Sequence, residues 1–148
     1  MEKLTHFTEE GKAKMVDISE KNNVKRIAIA HGFIKLSEET LEKIKNNEII
    51  KGDVLTIAKI AGINAAKQTA FFIPLTHPIN LEYVDLTFDI ENDGIKVLST
   101  VVSYGKTGVE MEALHSVSLA LLTIYDMCKS VDKNMEIKEI KLIKKEKI

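Results

Sequence analysis

The stretch from Leu81 to Tyr104 leaves this chain little conformational freedom. Val84, Leu86, Phe88 and Ile90 alternate with Tyr83, Asp85, Thr87 and Asp89, the period of a strand with one face packed and the other wet. Asn92-Asp93-Gly94 follows, then Ile95 to Tyr104, so the spacing predicts an antiparallel hairpin closed by residues suited to turn geometry. An isolated hairpin is marginal in water and needs a further strand or a helix against its apolar face. The flanking sequence supplies both. β-Branched character from Val24 to Leu36 predicts one strand, and Met135 to Ile143 predicts another, whose apolar phase switches between Ile137 and Ile140 as a bulge requires. Helices are predicted from Glu38 to Asn46 behind Ser37, from Asp53 to Phe72 with Asp53 as N-cap, and from Met111 to Val131. Ala58, Ala61, Gly62, Ala65 and Ala66 would let the second of these approach a neighbour closely. Strand, two helices, hairpin, long helix and strand make an α+β fold. The expectation is a ferredoxin-like antiparallel sheet with helices packed on one face.

Composition sets outer bounds. With 148 residues, 45% hydrophobic content and no Pro/Gly/Ser-rich linker, the chain reads as a single domain over residues 1–148. One cysteine excludes an intramolecular disulfide and a thiolate metal cluster, which makes the cytoplasm the default location. No apolar run approaches about 20 residues and the N-terminus lacks a signal-peptide core, so no membrane partner is expected. A net charge of −1 gives no bulk electrostatic footprint for nucleic acid. Lys138, Lys141, Lys144, Lys145 and Lys147 interleave with Glu136, Glu139 and Glu146, the pattern of a solvated terminal strand with a frayed end. Arg26 is the only arginine, and its planar fork suits a phosphate or a carboxylate.

The long helix carries the chemistry. Glu110, Glu112, Asp126 and Lys129 lie on a segment that otherwise reads as buried, and burying charge is costly unless it is paired or used. Glu110 has a structural reading, as the fourth member of a capping box opened by Thr107; Glu112 has none. Fourteen positions separate Glu112 from Asp126, so they share a stripe to within roughly 40° but stand about 21 Å apart along the axis. One small pocket cannot hold both, whereas two antiparallel helices related by a twofold axis bring the head of one beside the tail of the other. The spacing thus predicts self-association with a site shared between subunits. Asp126 and Lys129 read equally well as a helical ion pair or as site residues. Cys128 points elsewhere as a small hydrophobe.

Lys51 precedes a helix N-terminus, where a cation opposes the helix dipole; it is either a plain surface lysine, one of twenty, or a site residue. His77 stands between Pro74 and Pro78 in a stiff segment able to fix an imidazole, either as a structural hydrogen-bonder or as an acid, base or phosphate donor. His6, His31 and His115 offer it no second ligand at zinc-like spacing, so no protein metal site is expected.

Several separated segments carry a resemblance. Leu4-Thr5-His6, Met15-Val16-Asp17-Ile18-Ser19, Lys51-Gly52-Asp53-Val54, Ile73-Pro74-Leu75-Thr76-His77-Pro78, Gly105 through Leu114 and Leu122 through Lys129 together resemble the cyclic pyranopterin monophosphate synthase family of molybdenum cofactor biosynthesis. The match runs in order from about residue 4 to residue 143. It implies a lyase that converts 3′,8-cyclo-7,8-dihydro-GTP into cyclic pyranopterin monophosphate with release of pyrophosphate. It also implies a homohexamer, a trimer of dimers with active sites at the dimer interface, and a functional link to a radical S-adenosylmethionine GTP cyclase. Residue by residue, it implies catalytic roles for Lys51, Asp126 and Lys129, and substrate-binding roles for Leu75, Thr76 and His77 and for Met111 and Glu112. Arg26 and Lys67 fall at matching positions as phosphate contacts, while Glu110 joins Glu112 and His77 around the base-derived ring. Thr76 and His115 stand where the family commonly has Cys and Thr, so neither side chain is assigned an indispensable role. No resident cofactor is required, although Mg²⁺ can arrive with the triphosphate. The alternative is a non-catalytic nucleotide-binding or assembly module, which would need phosphate clamps but no acid/base set.

Overall fold

Residues 7–148 are described by a computed structural model; Leu4-Thr5-His6 lie outside them. Four strands, β1 (Val24–Lys35), β2 (Leu81–Ile90), β3 (Gly94–Gly105) and β4 (Glu136–Lys147), and four helices, α1 (Glu38–Lys45), α2 (Val54–Lys67), α3 (Thr69–Phe72) and α4 (Glu110–Cys128), follow one another as β1α1α2α3β2β3α4β4. The sheet order is β2-β3-β1-β4, every neighbour antiparallel. Each helical crossover therefore leaves a gap of one strand, filled by β3 in one case and β1 in the other, which is the ferredoxin-like arrangement expected from the sequence.

The packing follows from small residues where backbones meet. A Cβ at Gly32 on β1 would stand 2.6 Å from Leu121 Cδ1 and 2.9 Å from Val117 Cγ1 of α4. One at Gly62 on α2 would stand 2.5 Å from Leu86 Cδ2 and 3.1 Å from the Ser116 carbonyl. α4 thus lies on the central strands, with α2 wedged between it and β2. Ala28, Ala30, Val97, Val101, Leu121 and Ile124 form the fully buried centre, the transfer of apolar surface that drives folding.

The Ser37 and Asp53 N-caps are present as predicted. Ser37 Oγ accepts from the Thr40 N–H at 3.1 Å, and Asp53 Oδ1 accepts from the Thr56 N–H at 3.2 Å. Three expectations need correction. The helix expected to run to Phe72 breaks at Gln68 because the Ala65 carbonyl is shared: it accepts from the Gln68 N–H, the Thr69 hydroxyl and Nδ1–H of His115 on α4. The Thr107 capping box does not form. Val109 is the N-cap with no side-chain bond, so Glu110 is the first helical residue, and its carboxylate folds back over Gly108, where any Cβ would overlap it. The lysine-rich end is not frayed, since β4 pairs with β1 out to Lys147 opposite Arg26. The phase switch is real, with two register shifts against β1 and Glu139 at φ 61°.

Asp132, which no local motif marks, ties β1's exit to the turn after α4. It is buried and accepts from the Ser37 N–H (2.8 Å), the Thr40 hydroxyl (2.9 Å) and the Asn134 N–H (3.2 Å). Burial pushes its pKa up, but these donors outweigh that and hold it below the ordinary value. Its stabilisation is therefore present above pH 3.8 and is lost as pH falls through the depressed value. Asp132→Ala should cost roughly 2–4 kcal/mol in urea unfolding at pH 7, because one buried and two part-buried donors lose their acceptor. A midpoint unchanged from wild type would remove Asp132 from the account of the fold.

Candidate functional site

The ionisable residues picked out from the sequence fall into two groups at opposite ends of α4. At its head, Leu75, Thr76, His77, Glu110, Met111 and Glu112 line a cavity of about 320 Å³, closed on one side by Val16 and Ile18. A second cavity of about 550 Å³, into which Lys67 reaches, shares the His77 and Glu112 wall. The Pro74–Pro78 segment holds His77 as its stiffness requires, with Nε2–H donating to the Val16 carbonyl at 2.7 Å. The Thr76 hydroxyl is spent on the Ile73 carbonyl at 2.8 Å.

Glu112 is 3% exposed. Burial, aided by the negative charge of Glu110, pushes its carboxyl up to about 7, so it holds or releases a proton near neutrality. Glu110 approaches Lys145 Nζ at 3.4 Å. Nothing in the local sequence distinguishes Lys145 from the neighbouring lysines of the terminal strand; only the pairing of β4 beside β1 brings it to Glu110. Arg26, on β1, donates from Nη2 to the Lys106 carbonyl at 3.3 Å, next to Thr107 and Gly108 of the smaller cavity.

At the tail of α4, Asp126 is clamped by two ammonium groups. Lys51 Nζ lies 3.0 Å from Oδ2 and 3.2 Å from the Asp126 carbonyl, and Lys129 Nζ lies 3.1 Å from Oδ1. Gly52, at φ +119°, turns the chain directly after Lys51. The hydrogen bond from Lys51, then that from Lys129, holds the Asp126 carboxyl below its ordinary value, so the group is ionised and the cluster carries a net positive charge. The expectation of a helix packed on several sides holds at this end for Ile124, Met127 and Cys128, which are buried, but not for the face that bears Asp126, whose side chain is 55% exposed because no element among the described residues covers it. Around it Ile57, Ile60, Leu122 and Tyr125 are also exposed, Ile60 to 53%. Among the described residues no three His, Cys, Asp or Glu side chains converge as a metal-binding group.

Fold and site together define an α+β protein of ferredoxin-like topology, with a carboxylate-lined cavity and a separate lysine–aspartate clamp. Relatives with the same sequence pattern are known. The sequence profile of the MoaC family matches residues 15–147, and the chain belongs to that family. It is 53% identical over 144 residues to the cyclic pyranopterin monophosphate synthase of Thermoanaerobacter pseudethanolicus, covering 96% of this chain and 91% of that one. It is 49% identical over 147 residues to the synthase of Heliobacterium modesticaldum, covering 98% and 92%. It is also 55% identical over 140 residues to the probable cyclic pyranopterin monophosphate synthase of Sulfurisphaera tokodaii, covering 90% and 93%.

Proposed function

We propose that this chain is a cyclic pyranopterin monophosphate synthase, a lyase acting early in molybdenum cofactor biosynthesis. The full-length likeness to proteins of that name supports this reading, and the Lys51–Asp126–Lys129 clamp is the observation that carries it. In this reading 3′,8-cyclo-7,8-dihydro-GTP enters with its base-derived ring among Glu112, Glu110, His77, Leu75 and Met111. Its triphosphate meets Lys51, Lys129, Lys67 and Arg26, which neutralise the charge that builds as a ribose hydroxyl attacks the α-phosphorus and pyrophosphate leaves. Asp126, ionised between two lysines, orients them and tunes one as a proton donor. Glu112 moves protons on the ring.

The ring-binding cavity and the clamp are about fourteen residues of helix, or about 21 Å, apart, so one substrate reaches both only if a second copy supplies one of them. The reading therefore includes subunits paired through the α2/α4 face, assembled as a trimer of dimers. It places the enzyme in the cytoplasm, fed by a radical S-adenosylmethionine GTP cyclase. Among the described residues no helix is long and apolar enough to cross a membrane. The purified chain incubated with the cyclised GTP intermediate should yield cyclic phosphate product and one pyrophosphate per turnover. Tight binding without pyrophosphate would replace the enzyme by a nucleotide-sensing module.

A further inference from the structure

On the wall of the smaller cavity Glu110 Oε1 is buried without a hydrogen bond, with Lys145 Nζ facing it at 3.4 Å. Two further buried polar atoms close by have no hydrogen-bond partner, the Arg26 Nε–H and the Ser103 hydroxyl. They belong together. Arg26 and Ser103 are register partners across β1 and β3, so their Cα atoms stand roughly 5 Å apart with both side chains on one face of the sheet. That is the helix-bearing face, since Ala28 and Ala30 continue it along β1 beneath α4. Ser103 is 0% exposed. Of the five donors that a guanidinium carries, Arg26 engages one among the described residues, through the long 3.3 Å bond to the Lys106 carbonyl. An idle buried hydroxyl destabilises a fold, and an apolar residue of similar size would remove that cost. The arrangement calls for a state in which the hydroxyl is used.

We propose that Ser103 is a positioning residue for Arg26, engaged when a phosphoryl group is bound. In that state the Arg26 Nε–H donates to Ser103 Oγ, the bond to the Lys106 carbonyl is given up, and both Nη groups turn outward as a fork matched to phosphate oxygens. Lys147 stands opposite Arg26 on β4, so the row across the sheet adds a second cation for a polyanion. Release of the Lys106 carbonyl loosens the residues before Thr107 and Gly108, which line the cavity, and thus couples anion binding to the cavity wall. This inference rests on the synthase reading, in which Arg26 contacts phosphate.

Titration calorimetry with inorganic pyrophosphate on the assembled protein separates the two. Ser103→Ala should bind pyrophosphate roughly tenfold more weakly, raise KM for the cyclised GTP intermediate with kcat nearly unchanged, and melt at the wild-type temperature or above. In an Arg26→Lys background, which lacks Nε–H, the same substitution should cost nothing further. Equal pyrophosphate affinity in Ser103→Ala and wild type, additive losses in the double variant, or a fall in melting temperature that tracks the loss of affinity would each overturn the proposal. If pyrophosphate binding depends on Ser103 but the intermediate is never turned over, the synthase reading fails and the positioning role stands.

Discussion

Lys51→Ala and Asp126→Ala should each lower pyrophosphate release by roughly a thousandfold or more while the chain folds and assembles normally. The size follows from what the clamp does. A positioned proton donor contributes on the order of 10²–10⁴-fold, and a preorganised cation facing developing phosphate charge adds a comparable factor. Deleting Lys51 removes both, and deleting Asp126 leaves Lys51 and Lys129 unoriented and mutually repelling. Stability should barely change, because exposed ion pairs contribute about 0–1 kcal/mol, and the side chains of Lys51, Asp126 and Lys129 are 47%, 55% and 60% exposed. Lys51→Arg should not rescue turnover if Lys51 yields a proton, since guanidinium does not deprotonate. Normal turnover in either alanine variant would refute the assignment of the clamp as catalytic.

What could be read in the sequence follows the range of the interactions involved. The hairpin, the Ser37 and Asp53 caps and the β4 bulge rest on contacts within a few residues, so periodicity and turn chemistry were enough to place them. The break at Gln68 depends on His115 reaching the Ala65 carbonyl from another helix, and no local pattern records that. Thr107 failed as a cap because Gly108 let Glu110 fold backward, a preference invisible to a motif match. The site divides in the same way. Asp126 and Lys129 pair at i,i+3 and were visible as a pair, whereas Lys51 arrives from 75 residues away and looked like any surface lysine until a family resemblance singled it out. Glu112 was legible because it had no capping role to explain it. Lys145 was not, since its value comes only from the strand pairing that sets it beside Glu110.

Glu112→Gln should separate stability from function. The Glu112 carboxyl is raised from 4.5 to about 7 in the folded chain. Between those values the unfolded chain releases a proton that the folded one retains, so wild-type stability falls as pH rises, by roughly 3 kcal/mol in all. Glutamine has no such proton to lose. The variant should therefore match wild type near pH 4.5 and exceed it progressively up to pH 8, as read from urea midpoints, while pyrophosphate release drops on the order of 10²-fold and the limb of the pH–rate profile near pH 7 disappears. Mixing tests the shared site directly. Suppose subunits bearing Lys51→Ala and subunits bearing Glu112→Gln are denatured together in equal amounts and refolded. Half of the resulting dimers are then mixed, and each mixed dimer holds one site with an intact Lys51 from one copy and an intact Glu112 from the other. About a quarter of wild-type activity should return from two nearly inactive parents. Recovery no greater than the average of the parents would mean that the clamp and the cavity of a single chain serve the same substrate, and the head-to-tail pairing of α4 helices would have to be abandoned.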